Sequence, residues 1–317
     1  MRLKKPALIV LCYHGISERE ESRSDDFCFV SEEKFNTDLS IIRSMSGVIF
    51  PLNEGLQKLS DSVLPLNSVA ITFDDGFASV FKRGGPILNA HQAHATVFLP
   101  RRPICQETQF WFSELLHSLE QTKKSSFRLF GHTLDISAPE RKQKVSTLLQ
   151  RFFKTLHPAA VPSHIEELRK NLDTADRPLS DKYRLATEDE CVRALKSGRF
   201  HFGAHSSSHT IHTLLSQKEL EIEITESVNW VSALIGEKCT LYAYPNGGPQ
   251  DFSTRCHTLL RNAGVTHALT TIPDAAQAEV HPLAIPRYCV GPKTNVADIL
   301  NRRGIQLRNL FFKALSR

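Results

Sequence analysis

Ser68-Val69-Ala70-Ile71-Thr72-Phe73-Asp74-Asp75-Gly76 is the stretch whose reading decides the fold class. An apolar run delivers two adjacent carboxylates to its carboxyl end, and a glycine then turns the chain sharply. Apolar strands of this kind belong to parallel sheets covered on both faces. In such folds the carboxyl ends of the strands are where sites are built. Neighbouring carboxylates repel, so both stay ionised only beside a cation or hydrogen-bond donors. A metal on one of them would leave the other as a base. Asp-Gly is also a common turn dipeptide, so the motif alone reads equally well as a solvent-exposed turn.

Further strands are expected at 7–12, 95–99, 200–204, 240–243, 266–269 and 283–286, with amphipathic helices between them. Ser31 is placed to cap a helix on which Phe35, Leu39 and Ile42 share a face. Ser163 with Glu166, Thr187 with Glu190 and Ser216 with Glu219 fit the capping-box spacing, and Gly236 is expected to end the helix after Ser216. Alternating strands and helices imply an α/β fold with a parallel sheet of about seven strands, doubly wound or closed into a barrel. Periodicity does not choose between the two.

The remaining composition is that of a globular protein. The 317 residues are 41% hydrophobic and 23% charged, which excludes collagen, coiled coil and wholesale disorder. Lys and Arg number 39 against 34 Asp and Glu, an excess too small to point to nucleic acid. Cys12, Cys28, Cys105, Cys191, Cys239, Cys256 and Cys289 are scattered and odd in number, which indicates free thiols in a reducing compartment. Met1-Arg2-Leu3-Lys4-Lys5 precedes an apolar run, but that run is short and breaks at Cys12-Tyr13-His14-Gly15, so a buried first strand explains it better than a signal segment. A cytoplasmic protein is expected.

One domain over residues 1–300 is expected, with a mostly helical insertion at about 103–185. The insertion carries Phe110-Trp111-Phe112, a leucine stripe, a small hairpin at 127–134 and many basic residues, read as a solvated helix face. The tail 301–317 is basic and amphipathic. It would dock on the core or lie against the anionic inner face of a membrane.

A second cluster is Gly203-Ala204-His205-Ser206-Ser207-Ser208-His209. Two imidazoles four apart share a face if the segment is helical, and neutral imidazole ligates zinc and related divalent ions. One carboxylate with His205 and His209 would supply three protein ligands and leave a position for water. His212 is a nearby competitor.

The pair Thr72-Phe73-Asp74-Asp75-Gly76 and His205-x-x-x-His209 resembles the first two motifs of the polysaccharide deacetylases, the NodB-homology group of carbohydrate esterases. The resemblance implies a distorted (β/α) barrel and hydrolysis of an N-acetyl group on an amino sugar. The substrate would be an N-acetylated polysaccharide, oligosaccharide or glycolipid precursor. By position it makes Asp74 the general base and Asp75, His205 and His209 the ligands of a divalent metal. Zinc is the first choice, with cobalt, nickel or iron(II) as alternatives. An O-deacetylase, an amidohydrolase on a small amide and a non-catalytic carbohydrate-binding protein are the other readings of the same scaffold.

Two departures from the family pattern follow. The third motif reads Tyr242-Ala243-Tyr244-Pro245-Asn246-Gly247-Gly248, with Ala243 where an arginine is usual. Tyr244, Pro245 and Asn246 remain the oxyanion and substrate segment, and Arg287 is a candidate to restore the missing cation near Asp74. The late Leu-x-His motif is absent, whereas Leu11-Cys12-Tyr13-His14 ends the first strand. This order resembles the circularly permuted deacetylases of poly-N-acetylglucosamine and makes His14 the candidate general acid.

Overall fold

The computed structural model describes residues 6–19 and 28–301. Seven parallel strands form the main ring: β1 (Leu8–Tyr13), β2 (Ser68–Phe73), β3 (Ala95–Leu99), β4 (Phe200–Ala204), β5 (Leu241–Ala243), β6 (His267–Leu269) and β7 (Tyr288–Cys289). Their spatial order is β6-β5-β4-β3-β2-β1-β7. Ile285 makes a parallel bridge to Leu269 of β6, and Tyr288–Cys289 pairs with Leu11 and Cys12 of β1, so one short segment joins both edges. The barrel alternative is therefore the one adopted. An extra strand, Val48–Phe50, pairs with the first half of β2.

Alternation along the strands separates two cores. Ile9, Leu11 and Tyr13, with Val69, Ile71 and Phe73, belong to the large cluster under the surrounding helices. Leu8, Val10, Ala70, Phe98, Leu241, Leu269 and Ile285 form a smaller cluster that fills the barrel lumen. Leu52, Leu56 and Leu59 of helix Leu52–Ser60 join this second cluster and close the amino-terminal end of the strands. The lumen is narrow. A Cβ on Gly203 would lie 2.5 Å from the Phe98 ring.

The capping signals were uneven guides. Ser31, Thr187 and Ser216 all cap as expected, the latter two in full capping boxes, and Gly236 ends its helix at φ 73°. Ser163 instead lies inside helix Val161–Asn171, where its hydroxyl donates to the Ala160 carbonyl. The last strand sits later than 283–286, because backbone bonds from 285 onward serve β6 first and β1 afterwards.

Between β3 and β4, helices Trp111–Gln121, Pro139–Phe153 and Val161–Asn171 and the antiparallel hairpin Ser126–Leu129/His132–Asp135 surround a cluster of their own. Leu115, Leu119, Phe127, Leu149, Phe153 and Ile165 fill it. The tail expectation falls on residues outside those described, beyond Asn301. No helix among the described residues is long and apolar enough to cross a membrane.

The tight lumen gives a direct test. Gly203→Ala should lose about 1–3 kcal/mol of stability through overpacking against Phe98, measured by urea unfolding. Combining it with Phe98→Leu should recover part of that loss, which a purely local backbone effect would not allow.

Candidate active site

The strand phase that fills the lumen also populates its rim. Cys12 and His14 continue the phase of Leu8 and Val10, Asp74 that of Ala70 and Thr72, His205 that of Gly203, and Arg287 that of Ile285. Apolar side chains thus occupy the floor of the barrel, and polar ones gather at its carboxyl-end mouth.

Asp74 and Arg287 form the innermost pair. The Arg287 Nη1 and Nη2 groups donate to Asp74 Oδ1 and Oδ2, each at 2.7 Å. Arg287 Nε donates to the Thr270 carbonyl at 2.9 Å and Nη1 also reaches Thr72 Oγ1 at 3.2 Å. The guanidinium lies 5.5 Å from the Phe98 ring centroid and has 0% exposure. Burial alone would raise the Asp74 pKa, but the Arg287 charge overrides it and holds the carboxyl at about 2. Arg287 thus places a cation on Asp74 from the closing strand segment.

Asp75 faces the other way. It adopts φ 72°, and Gly76 follows at φ 71°, so the chain reverses directly behind the carboxylate. Asp75 Oδ1 lies 3.0 Å from His209 Nε2 and 3.5 Å from His205 Nε2. His205 Nδ1 donates to the Ala243 carbonyl at 2.8 Å, which leaves Nε2 of a neutral ring as an acceptor. Asp75 Oδ1 is buried with no hydrogen-bond partner. Burial works against the charge on Asp75; protonated imidazoles at His209 and His205 would hold its carboxyl well below the usual range, the role a bound cation would take over from them. Burial pushes the His209 imidazole down, which favours its neutral form.

These atoms fit a divalent cation. The ligand atoms of Asp75, His205 and His209 lie within 4.8 Å of one another. A carboxylate oxygen, the His205 Nε2 lone pair and His209 Nε2 converge, and such a mixed nitrogen and oxygen set suits zinc and its divalent neighbours.

The loop carrying the imidazoles is not the helix their spacing suggested. Residues 205–211 are irregular, and Ser206 and His209 are left-handed at φ 61° and 58°. Side chains of helix Gln217–Ile235 hold the loop instead. Buried Glu223 accepts from Ser208 N and Ser208 Oγ, both at 2.7 Å, and Glu226 accepts from Ser207 Oγ at 2.8 Å. Arg101 and Arg102 pair with Glu226 from the start of the insertion. Phe110 and Phe112 wall the outer side, their ring centroids 4.8 and 5.8 Å from His209. None of these supports was anticipated. The legible trace was Glu223 at a core position of a mostly apolar helical face, between Leu220 and Ile224.

The other candidates divide. His14 is half-buried, with a ring nitrogen within 4.8 Å of Asp74 and Cys12. His212 is fully buried with both ring nitrogens taken, by the Thr210 carbonyl and the Tyr242 hydroxyl, so it is no competitor as a ligand; burial pushes its pKa down to about 4. Asn246 is left-handed at φ 59° and half-buried, just past Pro245 and the strand that anchors His205. Tyr244 departs from the expected substrate role. Its hydroxyl donates to the Leu283 carbonyl at 2.9 Å and its ring stacks on Phe252 at 4.2 Å, so the side chain is spent on packing.

A family model described as polysaccharide deacetylase matches residues 62–268, more than half of the chain. No curated protein sequence matches. The fold is similar to that of the Streptococcus pyogenes deacetylase PplD in complex with acetate, at TM-score 0.62 and 14% identity over 94% of this chain and 98% of that one. It is similar to IcaB from Ammonifex degensii, at TM-score 0.58 and 15% identity over 93% and 96%. A third likeness is to the BpsB deacetylase domain from Bordetella bronchiseptica, at TM-score 0.53 and 14% identity over 92% and 98%.

Arg287→Met leaves Asp74 buried without its counter-charge and should cost about 3–5 kcal/mol at neutral pH. The pair stabilises the native state above the unfolded aspartate pKa, and that contribution is lost as pH falls toward the folded value of about 2. Urea unfolding at stepwise lower pH should therefore show the gap between wild type and variant closing. A gap that widens on acidification would contradict the assignment.

Proposed function

The chain belongs to the polysaccharide deacetylase family, and from that premise we propose that it is a divalent-metal-dependent hydrolase of N-acetylated amino sugars. Its substrate is a polysaccharide, an oligosaccharide or a lipid-linked glycan precursor. One observation carries the metal dependence: the buried Asp75 Oδ1 without a donor, facing two imidazole nitrogens.

A divalent ion held by Asp75, His205 and His209 supplies Lewis acidity, polarising a carbonyl oxygen and lowering the pKa of a water. Asp74 is ionised throughout the neutral range and takes the proton of the attacking water. Arg287 fixes that carboxylate in place by two parallel hydrogen bonds. The backbone N–H of Asn246 is the candidate donor to the developing oxyanion, at a left-handed residue that strand geometry would not produce by default. An amide nitrogen leaves poorly unless protonated, and His14 at the mouth beside Asp74 is the group placed to deliver that proton.

Acetate release from N-acetylated and O-acetylated glycans, run with metal analysis of the same protein, tests this reading. Release from the N-acetylated set, lost on chelation and restored by zinc, is expected. Release confined to O-acetyl esters would replace the substrate assignment. Binding without release in metal-replete protein would remove the enzyme assignment.

The residues separate by readout. Alanine at Asp75, His205 or His209 should lower both bound metal and turnover. Asp74→Asn and His14→Gln should retain the metal and lose at least about a hundredfold in acetate release.

A further inference from the structure

Two cysteines stand at the rim of the lumen outside the proposed chemistry. Cys12 of β1 and Cys289 of β7 are register partners in a parallel pair. Adjacent strands lie about 4.8 Å apart, inside the Cα separation of roughly 4.4–6.8 Å that a disulfide spans. Side chains of register partners point to the same face, here the lumen, because Cys12 shares the phase of Val10 and Cys289 that of Arg287. The two thiols lie close enough for each to shift the other's pKa.

Their environments differ in a useful way. Cys289 is exposed and Cys12 has 0% exposure. The neighbouring Cys12 thiol and then the Arg287 charge lower the Cys289 pKa, whereas burial raises Cys12. An accessible, acidified thiol beside a shielded one is the arrangement of a redox-reactive pair. Cys105 is also exposed, but desolvation and Glu188 push it up to about 11. Cys12 Sγ also donates to Asp74 Oδ2 at 3.5 Å, so the pair touches the carboxylate assigned as base.

We propose that Cys289 and Cys12 form a reversible oxidation site, in which a peroxide joins them in a disulfide and withdraws the Cys12 thiol from Asp74. The Cys289 thiolate attacks one oxygen of hydrogen peroxide. The S–O bond forms as the O–O bond breaks, and hydroxide leaves to become water with one proton. Cys12 then gives up its proton and attacks the sulfenic sulfur; the S–S bond forms, the S–O bond breaks and a second water departs. Two thiols and one peroxide yield one disulfide and two waters, the sulfur pair losing two electrons to the peroxide. An added dithiol reverses the step by exchange. The effect on turnover rests on the deacetylase reading; the disulfide itself does not.

The metal-loaded full-length protein is treated with limiting hydrogen peroxide, then digested without reductant and examined by mass spectrometry. The expected result is a linked peptide joining Cys12 and Cys289, loss of two titratable thiols and at least a tenfold fall in acetate release, all reversed by dithiothreitol. Cys289→Ser should keep its basal acetate release and show neither the link nor the reversible loss. Failure to find the link while Cys105 oxidises would overturn the site. Equal sensitivity of Cys289→Ser, or a link that leaves turnover unchanged, would overturn its action on Asp74. Should the reduced protein release no acetate from any glycan, the deacetylase reading fails, and the linked peptide still decides the thiol chemistry.

Discussion

A guanidinium with no solvent exposure sits inside a ring of seven strands, and much of the surrounding structure answers to it. Burying an ion costs several kcal/mol unless its donors are matched and a counter-charge is close. Arg287 meets both conditions at once, through two parallel bonds to Asp74, one to the Thr270 carbonyl, one to Thr72 and an aromatic face below. Each partner has its own requirement. Phe98 lies under the guanidinium only because residue 203 lacks a Cβ. Thr72 is itself fixed by donating to the Leu11 carbonyl. The ion pair and the packing of the lumen are therefore one arrangement and not two.

That arrangement sorts two adjacent carboxylates that would otherwise repel. Strand alternation points Asp74 inward to Arg287, while the left-handed turn at Asp75 and Gly76 carries the next carboxylate toward the imidazoles. The protein neutralises the first with a permanent cation of its own. The second it surrounds with the imidazoles of His205 and His209, whose other faces are backed by the Ala243 carbonyl and by aromatic rings. Asp75, Ser206, His209 and Asn246 all take backbone conformations that non-glycine residues rarely adopt, and all four lie around the mouth. Strain of this kind persists where the surroundings over-determine it, as the bonds from Glu223 and Glu226 do for the histidine loop.

Much of this was legible in the sequence because it depends on local rules. Apolar strands ending in charge, serine and threonine caps with glutamate three residues on, and the motif spacing each follow from short-range chemistry. They placed six of the seven ring strands and led to Asp74, Asp75, His205 and His209. The misses share a cause. Residues 205–209, which would share a face for both imidazoles if helical, are irregular because Glu223 and Glu226, distant in sequence, offer the serine N–H and hydroxyl groups better partners than a helical turn would. The segment after residue 283 must serve β6 and then β1, a demand of barrel closure that no local pattern carries. Tyr244 looked available beside the family motif, yet its hydroxyl was already taken by the Leu283 carbonyl.

The pairing that makes Asp74 secure also limits what it can do. A carboxyl held at about 2 is ionised throughout the neutral range. By the same measure it is a poor thermodynamic base, and a proton taken there is held only briefly. In the proposed reaction water attack then needs its acidity raised from elsewhere, which is the part a cation held by Asp75, His205 and His209 would play. Expulsion of an amine needs a different donor, since Asp74 cannot store the proton until the amine departs. A deacetylase with such a carboxylate therefore requires a separate proton donor for the amine. In the proposed reaction that donor is His14, which follows the adjacent strand, continues its lumen phase and lies beside Asp74.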